Sequence, residues 1–298
     1  MNAEAHEAVF FSRLLGGLAV LSGAGLGGLL AGRAGAVLGG LLSASGAVVL
    51  EGLRRRREVR RRLALAAAFP AESRAVLEAR CDPYLRLPSA LRSRFEDGVR
   101  TFLADTPITG IEVEVTEELR LLVAASAVTL SVAWPRFEWD HVAEVLLYPR
   151  AFDRDYSFEK AELIGQAHPW GTVILSVPAL KKSFQDPHDG YHVGFHEFAH
   201  LLDMEQRRFG GIPAGLNETQ RRRWGPLVAA EMESLREGRS LLDPYGVENP
   251  AEFFAVSIEV FFEQPQSMRR RHEELYETLS SYFRQDPAAW DDARGLTL

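Results

Sequence analysis

An α+β fold is predicted for this chain by three observations. After residue 105 the runs come in the order strand, helix, three strands, and then helices only. The strand-like runs are short and rich in β-branched residues, which points to a small mixed sheet. From about residue 191 onward, apolar residues recur at helical spacing between proline and glycine stops, so the C-terminal half is mostly helical.

Each element has its own signal. Residues 63–105 read as helical, with SALRSRFEDGVRTFLAD (89–105) the clearest run. ITGIEVEV (108–115) alternates and reads as a strand. EELRLLVAASAVTLSVAW (117–134) is apolar nearly all round and reads as a buried helix. AEVLLYP (143–149) is a strand stopped by Pro149. AELIGQA and GTVILSV flank His168-Pro169-Trp170-Gly171 as a hairpin. A polar loop ends at Pro187 and Gly190, and a helix then spans Tyr191 to Phe209, before Gly210, Gly211 and Pro213. The next helix starts at Asn217 with Gln220 completing a capping box, and Pro226 kinks it. Another runs from Asn249-Pro250 to just before Pro265. The last covers 266–284 and stops before Asp286-Pro287.

The N-terminal 50 residues are of another kind. LLGGLAVLSGAGLGGLLAG (14–32) and AGAVLGGLLSASGAVVL (34–50) are uncharged and separated by Arg33. Each is close to the roughly 20 residues a membrane helix needs. Gly23/Gly27, Gly28/Gly32 and Gly35/Gly39 have the spacing that lets such helices pack closely. We read residues 1–53 as an apolar helical hairpin in a membrane and 54–298 as a separate folded domain. The arginines at 54–57 and 60–62 place that domain on the cytoplasmic face of the inner membrane by the positive-inside rule. A signal peptide ending near AGRAGA, a flexible glycine-rich lead and a plainly cytoplasmic chain are the alternatives.

Composition narrows the function. The net charge is −7 over 298 residues, yet residues 1–62 hold nine Arg against four Glu. The body is therefore acidic, which argues against a nucleic-acid partner. A single cysteine, Cys81, excludes an internal disulfide.

The chemistry-bearing stretch is GFHEFAHLLDME (194–205). On a helix, His196 and His200 lie one turn apart on one face and can present two imidazoles to one Zn2+. Glu197, beside His196, can reach a water at that metal without ligating it. Phe195, Phe198, Ala199, Leu201 and Leu202 bury the helix, where two unpartnered histidines would be costly. Asp203 stays on the histidine face and could ligate, although a hydrogen bond orienting a ligand histidine is the preferred reading. The third ligand is sought in DPYGVENPAEFFAVSIEVFF (243–262), where Glu252 and Glu259 share one side of an apolar helix. From spacing alone Glu252 reads equally as a metal ligand or as the cap partner in Asn249-Pro250-Ala251-Glu252. Glu259 reads as a neutralising partner of a ligand histidine or as a solvated surface acid. GTVILSV is the strand we expect to pair with an extended substrate.

HEFAHLLDM, NPAEFFAVSIEVFF and a closing RQDP together resemble the Mlc titration factor A family of bacterial zinc peptidases. RRLALAAAFP, VAASAVTLSVAW, VLLYPRAFD and HPWGTVILSVPALKK follow the same pattern in the same order, over roughly residues 54–290. The resemblance implies a zincin-like, gluzincin fold related to the metallopeptidase domain of anthrax lethal factor. It implies ligands His196, His200 and Glu252, Glu197 as general base, and Tyr245, seven residues before Glu252, as a donor to the oxyanion. It further implies an aminopeptidase-like activity on small peptides, and a regulator protein, the glucose repressor Mlc, as a bound partner. The apolar residues 14–50 are not part of that pattern. A second class of function stays open, a zinc-stabilised module that sequesters a regulator with little hydrolysis. Such a module would need the ligands but neither Glu197 nor Tyr245.

Overall fold

The computed structural model describes residues 51–135, 137–153, 163–205 and 208–293, together with 41, 43 and 45–49. The chain divides into two compact units, 1–63 and 64–298. In the first, every described residue is helical. The apolar hairpin expected over 14–50 lies outside the described residues, apart from 41, 43 and 45–49. Among the described residues no helix is long and apolar enough to cross a membrane.

Residues 51–66 are helical (α1). Helices α2 (Ala71–Arg80), α3 (Asp82–Arg86) and α4 (Ser89–Asp105) follow, as the apolar spacing requires. Strand β1 (Ile108–Gly110) is shorter than the expected 108–115. The chain turns back at once: a Cβ at Gly110 would stand 2.0 Å from the Val113 carbonyl oxygen. Glu112 completes the turn with a φ of 57°. Alternating residues alone cannot signal such a turn.

Helix α5 (Glu117–Ser131) is buried along nearly its whole length, and the Thr116 side chain caps it by accepting from Leu119 N–H. It packs on α4 and α2. A four-stranded mixed sheet is made of β2 (Glu144–Tyr148), β3 (Gly165–Ala167), β4 (Thr172–Ser176) and β1, in the order β1-β2-β4-β3. The pairings β1–β2 and β2–β4 are parallel, and β3–β4 is antiparallel. Val145, Leu147, Val173 and Leu175 face the main core, and Ile174 joins Tyr148 and Phe152 on the other face. β4 is therefore buried throughout, like strands covered on both faces. It is also hydrogen-bonded on both edges, so GTVILSV cannot be the strand that accepts an added peptide. The edge next to the HEFAH helix belongs to β3.

Helix α6 (Val177–Gln185) stands where a loop is expected before Pro187, since Pro178 in its first turn starts a helix rather than breaking one. Helix α7 (Val193–Leu202) carries HEFAH and ends seven residues before the expected Phe209. There the chain makes a two-residue-per-strand hairpin, β5 (Met204–Glu205) with β6 (Arg208–Phe209). Helix α8 (Glu218–Arg236) starts at the Asn217–Gln220 capping box and contains Pro226. A 3₁₀ turn, Pro244–Val247, precedes α9 (Pro250–Glu263). The single helix expected over 266–284 is two, α10 (Pro265–Arg271) and α11 (Glu273–Phe283), broken at His272, with α12 (Pro287–Ala293) beyond.

Candidate metal centre

The site is built where α7 and α9 pack face to face. α7 begins at His192, whose ring Nδ1 accepts the Phe195 N–H at 3.1 Å. His192 is thus a helix cap, held neutral because complete burial pushes its pKa down to about 3. Gly194 lets the helix lie close against α5, since a Cβ there would be 2.2 Å from Ser126 Oγ.

His196 and His200 then project toward α9, their ring centroids 5.0 Å apart. Glu252 Oε2 lies 3.0 Å from His196 Nε2 and 3.3 Å from His200 Nε2. The three side chains place their ligand atoms within 4.8 Å of one another. They come from a one-turn spacing on one helix and from the first turn of another. Asn249 provides the cap of α9 by accepting the Ala251 and Glu252 N–H groups, so the Glu252 side chain is spared that task and turns to the histidines.

The carboxylates of α9 form a ladder along α7. Glu252 meets the two imidazoles. Glu259, one heptad on, accepts from His196 Nδ1 at 2.8 Å and from the His192 N–H. Glu263, a turn further, accepts the Gly190 and Tyr191 N–H groups at 3.0 Å each. Glu259 is therefore a buried partner of His196 and not a solvated surface acid. Glu263 was not singled out in the sequence, though its spacing of four from Glu259 puts it on the same face.

These acids set the electrostatics. Burial opposes a charge on His196, but hydrogen bonds to Glu252 and Glu259 outweigh it and raise its pKa well above the ordinary imidazole value. Burial likewise works against ionisation of Glu252, and the bonds from His196 and His200 overcome it and lower its pKa to about 2. The pocket thus demands positive charge between its carboxylates.

A divalent metal fits that demand. Two imidazoles and a carboxylate are a zinc-type donor set. Tetrahedral ligands at ~2.1 Å stand about 3.4 Å apart, close to the separations seen here. His196 already has its second nitrogen held by a carboxylate, the usual arrangement for a ligand histidine.

Glu197 is 6% exposed and lies against β3 of the sheet, near enough to His196, His200 and Glu252 to feel their charges. A Cβ on Gly165 of β3 would lie 2.4 Å from its Oε1, so only glycine leaves room for it. Burial raises the Glu197 pKa above the usual carboxylate value. No sequence signal marked Gly165, because its partner is 32 residues away.

Tyr245 sits in the 3₁₀ turn with its ring centroid 6.0 Å from that of His196, and it is 45% exposed. Asp243 fixes the turn by accepting the Tyr245 N–H at 2.8 Å. Asp203 is fully buried but is bonded elsewhere than expected. It accepts the Gly211 N–H at 2.7 Å and the Gly210 N–H at 3.3 Å. Among the described residues His200 Nδ1 has no hydrogen-bond partner. Gly211, with φ of 69°, packs on the backbone of Pro250, where α9 begins. Asp203 therefore acts on the start of the Glu252 helix through a loop, while burial pushes its pKa up to about 6.

The sequence of this chain is similar to those of known proteins. A family model described as glucose-regulated metallo-peptidase M90 matches residues 53–284. An uncharacterized protein of Synechocystis sp. is 30% identical over 74% of this chain and 86% of its own length. Mlc titration factor A of Edwardsiella ictaluri is 31% identical over 57% of the chain and 69% of its own length. That of Cronobacter sakazakii is 30% identical over 61% and 73%.

Proposed function

The chain belongs to the glucose-regulated metallo-peptidase M90 family, and from that premise we propose that it hydrolyses peptide bonds with zinc held by His196, His200 and Glu252. The observation that carries this is the convergence of those three side chains beside a buried Glu197. When bound, zinc supplies Lewis acidity to a carbonyl and makes a nearby water more acidic. Glu197 takes the proton of the attacking water and delivers it to the leaving nitrogen. Its burial favours the protonated form, which suits a group that must hold a proton between two steps. The Tyr245 hydroxyl donates to the developing oxyanion, a role typically worth about 10²–10³ in rate. An extended substrate pairs with the outer edge of β3, which brings its backbone past Gly165 and Glu197.

The test is Glu197→Gln. The variant should retain one zinc per chain and lose turnover of short chromogenic peptides. Retained, chelator-sensitive turnover would remove Glu197 from the mechanism. Aminoacyl against N-blocked substrates tests the aminopeptidase-like preference. The relatives' name, Mlc titration factor A, favours a second reading, capture of a regulator protein. Binding that survives Glu197→Gln with no hydrolysis by the parent would support it. Attachment of the full chain to membranes through residues 14–50, with the domain facing the cytoplasm, is a separate proposal that membrane flotation tests.

A further inference from the structure

The break between α10 and α11 has a specific cause. His272 leaves helical geometry at φ −134° and ψ 54°, and its imidazole is 4% exposed. A buried polar ring that interrupts a helix must recover its hydrogen bonds. Nδ1 lies 2.6 Å from Glu231 Oε2 on α8. An ionised carboxylate only accepts, so Nδ1 carries the proton and Nε2 is left as the acceptor. Nε2 faces two donors, Ser240 Oγ at 3.3 Å and the Leu241 N–H at 3.4 Å.

Those donors lie in residues 239–243, which have no regular secondary structure. Ser240 Oγ in turn accepts the Leu242 N–H at 3.1 Å. Asp243 then accepts the Tyr245 N–H, and its carbonyl accepts the Gly246 N–H at 3.0 Å. Gly246 is pressed on α9, where a Cβ would be 2.7 Å from Val256 Cγ2. An unbroken series of contacts therefore runs from Glu231 through His272 to the turn that carries Tyr245.

We infer that His272, oriented by Glu231, is a positioning residue for Tyr245, holding the 239–245 segment so that the phenol stands beside the metal site. The inference rests on the reading that the Tyr245 hydroxyl assists hydrolysis. Without the imidazole, the segment keeps its peptide length but loses the anchor that sets its height over His196.

The experiment is a double-mutant cycle in the full, zinc-loaded chain. His272→Phe keeps a flat aromatic ring, slightly larger, and removes both nitrogens. Bound zinc, kcat and KM are measured for His272→Phe, Tyr245→Phe and the pair. The expected result is a kcat loss of about 10–10² for His272→Phe, the scale of a roughly 1 Å misplacement. Zinc content and KM stay unchanged, and no further loss appears in the Tyr245→Phe background. Glu231→Gln should show the same non-additivity with a smaller loss, and it decides the matter should His272→Phe not fold. Equal losses in both backgrounds, or an unchanged kcat, would overturn the inference while leaving Tyr245 in the mechanism. An unchanged kcat in Tyr245→Phe alone would remove Tyr245, and His272 as its positioner with it.

Discussion

Gly165→Ala should disable the enzyme without touching a metal ligand. The residue is in β3 with no left-handed backbone, so alanine suits the conformation and only the new methyl group matters. That methyl would stand 2.4 Å from Glu197 Oε1, 2.8 Å from Glu197 Cγ and 2.7 Å from Val193 Cγ2. Ordinary contact begins near 3.4 Å, so the carboxylate must move by about 1 Å. A displacement of that size at a reacting group can cost about 10² in rate, or about 2.7 kcal/mol of barrier. The methyl's three nearest atoms belong to Glu197 and Val193 and not to His196, His200 or Glu252, so zinc content should stay at one per chain. Overpacking should lower stability by about 1–3 kcal/mol. The assay is kcat on a chromogenic peptide beside bound zinc and a urea unfolding curve. A kcat within about twofold of the parent, in a fully loaded protein, would refute the argument that Glu197 works only where glycine leaves it room.

Three further outcomes follow from the same geometry. Glu252→Ala should lower zinc affinity by more than the roughly 10–100-fold typical when only a hydrogen-bond partner of a ligand is removed; unchanged affinity in a competition titration would reduce Glu252 to a first-turn acid. Asp203→Ala strips two acceptor bonds from the Gly210–Gly211 loop. It should cost on the order of 2–4 kcal/mol in urea unfolding and also weaken zinc binding, because the start of α9 shifts; undiminished zinc affinity would confine Asp203 to capping α7. Glu263 has its pKa pushed up to about 9 by burial and by Asp189. A raised carboxyl stabilises fully below its unfolded value of about 4.5, and that stability is lost as pH climbs toward 9. The loss is about 1.4 kcal/mol per unit, or on the order of 3 kcal/mol by pH 7. Glu263→Gln should flatten that decline between pH 5 and 8, and identical pH dependence in the two proteins would count against the burial argument.

Where a feature depended on neighbours along the chain, the sequence was enough. The helix over 89–105, the Asn217 capping box and the start of α9 all follow from local spacing and caps. The pairing of His196 with His200 follows from the helical repeat alone, since residues four apart share a face. The expected HEFAH helix overran because residues 203–209 hold no glycine or proline to signal a stop before Gly210, while the stop is made by Asp203 bonding to a loop eight residues on. The break at His272 is equally hidden, because its partners are on α8 and in the 239–243 segment.

The sequence by itself determined which residues could do metal chemistry, and that two of them point the same way. Tertiary structure decided their company. Capping-box spacing left Glu252 open between two roles, and only the packing of α9 on α7 turned it to the imidazoles. The same packing took Glu259 out of solvent and bonded it to His196, and the sheet order moved the exposed edge from β4 to β3. Asp203 went to the loop at the head of α9, and Gly165 became the wall of the Glu197 pocket. The physical reason is range. Helix periodicity and capping act over about four residues. The contacts that choose partners here join residues 32, 56 and 63 positions apart, and they exist only once the core has closed.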